Sequence, residues 1–104
     1  MFNKGMIVRE YGDFVIEDNC VFGGVQLLFR FQNGYGASLV SHMGSYGNEI
    51  AVIEFQEDGN WKISYDTNIT EDVLGHLDDE EIIETLGKIQ NIIVVSNQCK
   101  SEVI

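Results

Sequence analysis

In several segments before Tyr65, side chains alternate with a two-residue period, clearest where Val25, Leu27, Phe29 and Phe31 alternate with Gln26, Leu28, Arg30 and Gln32. That period belongs to a strand with one face buried. Asn33-Gly34 follows at once, a dipeptide that readily takes the positive backbone angles of a tight hairpin. A returning strand is predicted from Tyr35 to His42, with Tyr35, Ala37 and Leu39 on one face. After the flexible Gly44–Asn48 connection, a further strand is predicted from Glu49 to Phe55, with Ala51, Ile53 and Phe55 inward. Asp58-Gly59 turns this strand back into Trp61, Ile63 and Tyr65. Met6 to Tyr11 and Phe14 to Glu17, around Gly12-Asp13, are expected to add an N-terminal hairpin within residues 1–24.

After Tyr65 the period changes. From Asp78 to Ile93, the residues Ile82, Leu86, Ile89 and Ile93 recur at spacings of four, three and four, the stripe of a helix lying on a sheet. Asp78 and Glu81 have the spacing of a capping box, and Leu77 is placed to pack on Ile82 beneath it. Thr70 to Leu77 fits one short helical turn, and residues 96–104 read as a frayed tail. The predicted fold is α+β: an antiparallel meander of four to six strands, one C-terminal helix on a sheet face, and a single domain over residues 1–104.

Composition narrows the setting. Of the residues, 44% are hydrophobic and 11% aromatic, enough for a packed interior. Seventeen acids against six Lys and Arg give a formal charge of −11, which argues against direct binding to nucleic acid or to an anionic membrane. The start of the chain has no signal-peptide pattern, and nowhere do eighteen apolar residues run together. Cys20 and Cys99 have neither the density nor the spacing of a disulfide scaffold or a zinc site. Reduced thiols and a cytoplasmic location are therefore expected.

Tests for chemistry return little. Met43-Gly44-Ser45-Tyr46-Gly47 lacks the first glycine of a nucleophile elbow, so Ser45 with His42 is not read as a catalytic pair. Asp66 to Asp72 has oxygen side chains at alternate positions like a calcium loop. It then places Glu71 where the loop needs glycine and Leu77 where it needs the bidentate glutamate. Gly34-Tyr35-Gly36 precedes a strand instead of opening a helix, so it does not form a phosphate cradle. A hydrolase centred on Asp66, Asp72 and His76 matches no metal-ligand spacing. The expectation is no enzyme, no metal and no cofactor.

The acids themselves are the informative surface feature. Twelve of the seventeen lie between Glu49 and Glu84, where Lys62 is the sole base. Carboxylates at a helix start are favoured by the helix dipole without any partner. They also form a negative face able to meet a basic groove, with Asp66, Glu71, Asp72, Asp79, Glu80 and Glu84 as the candidate contact residues. A second reading is an oligomerising module, a homodimer for instance, that pairs through an apolar sheet face carrying Leu28, Val40, Ile50 and Val52.

The run Asn33-Gly34-Tyr35-Gly36-Ala37-Ser38-Leu39-Val40 resembles a small protein type of phages and prophages. So do Ser45-Tyr46-Gly47, Glu49-Ile50-Ala51-Val52-Ile53 and Tyr65 through Gly75 with the acidic helix after it. The resemblance spans Asn33 to about Ile89. One departure is Asn68, where that type has a proline after the Asp-Thr pair. The type brings no catalytic residue. It implies a viral or prophage setting, in which a small acidic protein would occupy a basic, nucleic-acid-binding surface of a host protein, as an anti-CRISPR or other anti-defence inhibitor does.

Overall fold

In the computed structural model, which describes residues 2–21, 23–42, 47–64 and 74–92, an antiparallel sheet carries two helices on one face. The strands are β1 (Val15–Val21), β2 (Gly24–Arg30), β3 (Tyr35–Ser41), β4 (Glu49–Phe55) and β5 (Trp61–Ile63). They lie side by side in chain order, each antiparallel to the next. Helix α1 (Lys4–Tyr11) precedes the sheet and α2 (Asp79–Gln90) follows it. The expected α+β meander with a C-terminal helix is present, with five strands and a second helix at the N-terminus.

That N-terminal helix corrects the expected hairpin within residues 1–24. Met6–Tyr11 is helical, a 3-10 turn spans Gly12–Phe14, and Val15 begins a strand that pairs with β2 instead. Local chemistry explains the start of α1. The Asn3 side chain accepts a hydrogen bond from the Met6 N–H at 3.1 Å, satisfying one of the donors that a helix start leaves free. Phe2, just before this cap, and Ile7, four residues after it, both enter the core at 5% and 0% exposure. Their spacing is that of a hydrophobic staple. Helix α2 begins in the same way: Asp78 caps it, Leu77 packs against the core, and Ile82 is fully buried. It ends at Gln90 with Asn91 as C-cap, short of the expected Ile93, which lies outside the described residues, as do residues 96–104.

Register fixes which side chains face the helices. Leu27 pairs with Leu39 and Leu39 with Ile50, while Phe29 pairs with Ala37 and Ala37 with Val52. Those six residues join Ile82, Leu86 and Ile89 of α2 and Ile7 of α1 in one buried cluster. This overturns the expected facing of β4, because Ile50 and Val52 point to the helices and Ala51, Ile53 and Phe55 to the other side. Ala51 and Ile53 are nevertheless buried, at 6% and 0%, and so is Leu28 at 2%. The sheet is covered on both faces there, and Ile50-Ala51-Val52-Ile53 accordingly reads as an unbroken apolar run. Leu28, Ile50 and Val52 are therefore interior residues and not an exposed pairing surface; Val40 is half-buried.

Beyond β5, the Ser64 N–H donates to the Val52 carbonyl at 2.8 Å, and Leu74 exchanges backbone hydrogen bonds with Ile50. Leu74 thus extends the same edge, where a short helical turn over Thr70 to Leu77 was expected; residues 65–73 lie outside the described part. At the opposite edge, β1 shifts register between Val15 and Glu17, a bulge that leaves Ile16 47% exposed. Lys4 of α1 forms an ion pair with Asp18 of the same strand.

Tyr11 closes α1 onto α2. A Cβ built at Gly87 would lie 3.1 Å from the Tyr11 hydroxyl, and the ring forms an aromatic cluster with Phe14 and Phe31 at centroid distances of 6.3 and 6.2 Å. Burial raises the Tyr11 pKa above the usual value near 10, and the adjacent Glu10 charge adds to the shift. The folded state therefore favours the neutral phenol. Its contribution to stability is complete below the unfolded pKa and is lost as pH rises through the higher folded one. Thermal unfolding followed from about pH 9 to about pH 11 should show a steeper loss for the native sequence than for Tyr11→Phe. Identical slopes would mean that Tyr11 ionises as freely in the folded chain as in the unfolded one.

Candidate functional site

The acidic region of the sequence maps in part onto the start of α2. Asp78 Oδ1 accepts from the Glu81 N–H at 2.8 Å, and Glu81 Oε1 accepts from the Asp78 N–H at 3.0 Å, completing the expected capping box. Asp79 is half-buried, and its Oδ1 accepts from the backbone N–H of Asn3 at 2.8 Å. Because Asn3 caps α1, one carboxylate joins the N-terminal ends of both helices, where the two dipoles favour its charge. Met6 lines a shallow depression there with Asp78, Asp79 and Glu80.

Glu80 and Glu84 are exposed, one turn apart on the outer side of α2. Glu84 also meets Lys88 at 3.3 Å, an i,i+4 surface pair that contributes little to stability. The six candidate contact residues thus divide. Glu80 and Glu84 present charge to solvent, Asp79 serves as a tie between helices, and Asp66, Glu71 and Asp72 lie outside the described residues.

At the other end of α2, one side chain does what the sequence reading did not anticipate. Asn33, in the β2–β3 turn, donates from Nδ2 to the carbonyls of Ile89 at 2.9 Å, Gln90 at 3.2 Å and Ile92 at 3.1 Å. Its Oδ1 accepts from the Tyr35 N–H at 3.0 Å. The carbonyls at and just beyond the end of α2, where the Ile92 N–H also turns back to Ile89 at 3.2 Å, are met by an amide 56 to 59 residues away in sequence. Asn33-Gly34 signalled a turn, and it makes one. The amide's second role had no local signature, because its acceptors belong to a distant element.

A pocket beside this clamp is lined by Phe14, Gln32, Asn33 and Gln90. Among the described residues, this lining offers ring contact and amide hydrogen bonds. On the sheet face away from the helices, Arg30 lies over the Phe55 ring at 4.7 Å. Among the described residues, no group of three or more His, Cys, Asp or Glu is placed to hold a metal ion. His76 is exposed in a left-handed conformation at φ 58° beside Gly47, whereas Asp66, Asp72 and Ser45 lie outside the described part. Cys20 is an exposed free thiol, and Cys99 is likewise outside. No helix among the described residues is long and apolar enough to cross a membrane.

The fold and this site define a small acidic α+β protein with a capped, carboxylate-bearing helix on a five-stranded meander. Protein-family models, curated proteins and solved structures contain no match to the chain.

Proposed function

We propose that the protein is a non-enzymatic binding module that meets a basic surface on a host protein. In the phage or prophage setting that its sequence resembles, it acts as an anti-defence inhibitor of the anti-CRISPR kind. The observation that carries this reading is the outer side of α2, where Glu80, Glu81 and Glu84 stand exposed on an element fixed at its start by a capping box and a tie to α1. Carboxylates held in place are suited to occupy a groove that otherwise receives phosphates, since the partner's cations are attracted without the cost of ordering a flexible segment. The alternative, pairing through the apolar sheet face, loses support because Leu28, Ile50 and Val52 are consumed inside the chain's own core.

Glu80 and Glu84 are the residues to neutralise, leaving Asp79 to hold Asn3 and leaving the capping box intact. Glu80→Gln with Glu84→Gln should weaken binding to a partner recovered from host lysate by on the order of tenfold near 0.1 M salt. The gap should close near 1 M, where charges more than about 3 Å apart are screened. Equal affinity of the two proteins at low salt, with circular dichroism unchanged, would sink the electrostatic reading.

A further inference from the structure

We infer that Asn33-Gly34 is a self-modifying latch on the C-terminal end of α2, protected while the latch is closed and irreversibly released once it reacts. The Asn33 amide has two N–H bonds, and the structure shares them among three carbonyl oxygens at 2.9 to 3.2 Å. With Oδ1 engaged by the Tyr35 N–H, the side chain is held from both ends. The next residue is Gly34, at φ +87° with open space where a Cβ would stand, so no side chain of its own crowds its nitrogen. Its N–H reaches the Phe31 carbonyl at 3.3 Å, a long bond that is easily given up.

Those features define the reaction and its control. When the amide swings away from the helix end, the Gly34 nitrogen can attack Asn33 Cγ. A C–N bond forms as that nitrogen loses its proton, the Cγ–Nδ2 bond breaks, and the amide nitrogen leaves as ammonia. The resulting succinimide adds one water at either carbonyl and opens to aspartate or isoaspartate. No electrons are exchanged, and the net change is one water taken up and one ammonia released. The product cannot close the latch again, because a carboxylate has no proton to donate and would face three carbonyl oxygens. Its negative charge would also sit at the negative end of the α2 dipole. The closed latch slows the reaction because the attacking geometry requires Nδ2 to leave all three acceptors together. Local opening of the α2 end therefore sets the rate.

The full-length protein is aged in native buffer and in urea at the same mildly alkaline pH, and conversion at Asn33 is read by peptide mass mapping. Conversion should be at least about tenfold slower in native buffer, the factor expected if opening costs about 1.4 kcal/mol. The converted protein, separated from the native form by its extra charge, should show faster amide hydrogen exchange in the last turn of α2 than the unconverted protein. Equal conversion rates in the two buffers would overturn the protection. Unchanged exchange after conversion would overturn the latch.

Discussion

Leu86→Ala should destabilise the protein by about 2 to 5 kcal/mol, the range for deleting most of a fully buried leucine and leaving a cavity. Leu86 is 0% exposed and lies between Ile82 and Ile89 on the buried stripe of α2, over a sheet face built from Leu27, Phe29, Leu39, Ile50 and Val52. Neighbouring side chains cannot close the gap cheaply. Those from the strands are held by backbone pairing, and α2 is tied at its start through Asp79 and at its end through Asn33. At roughly 4 °C or more per kcal/mol for a chain of this size, the midpoint of thermal unfolding should fall by about 10 °C or more. A loss below about half a kcal/mol would show that the helix does not close this core.

Gly36→Ala should be at least as damaging, although it adds a single methyl group. A Cβ at Gly36 would stand 1.9 Å from the Phe29 carbonyl oxygen and 2.8 Å from the Phe55 ring. The first contact is with backbone, so no rotamer change relieves it, and β2 and β3 must separate where Arg30 pairs with Gly36. The ring contact also disturbs the surface on which Arg30 rests. Overpacking that side chains can absorb costs about 1 to 3 kcal/mol, and a clash with a strand carbonyl should exceed that range. Denaturant titration is the measurement. A midpoint equal to that of the native sequence would mean that the strands part here without cost.

How much of this was legible depended on whether a signal was local. The capping box at Asp78 and Glu81 was readable because all of its parts lie within four residues, and its staple, Leu77 and Ile82, follows from the same spacing. The β2–β3 hairpin was readable for a similar reason, since Asn33-Gly34 follows directly on an alternating strand. Helix α1 carried an equivalent mark: Phe2, Asn3 and Ile7 repeat the spacing of Leu77, Asp78 and Ile82. Eight residues that include the adjacent β-branched pair Ile7-Val8 give a period too short to overrule a strand. The facing of β4 was not readable at all, because four apolar residues in succession fit either face. Within the candidate site, the exposure of Glu80 and Glu84 followed from the buried stripe of α2. The bond from Asp79 to Asn3 spans 76 residues, and no local pattern announces it.

The bulge in β1 has a consequence for how the molecule behaves at high concentration. An open sheet ends in a strand that can template the addition of another chain, and a flat, apolar end strand is the usual starting point for fibre growth. Here the end strand is bent at Ile16 and carries Glu17 and Asp18 next to the bend. A second molecule laid antiparallel along it would bring the Glu17 carboxylates toward each other, with Asp18 already engaged by Lys4, and the kink would break the run of backbone pairing that such growth requires. At the far edge, the described residues offer the three of β5 before Leu74 takes over the pairing with β4. Bent and charged, β1 is a poor template for a further strand.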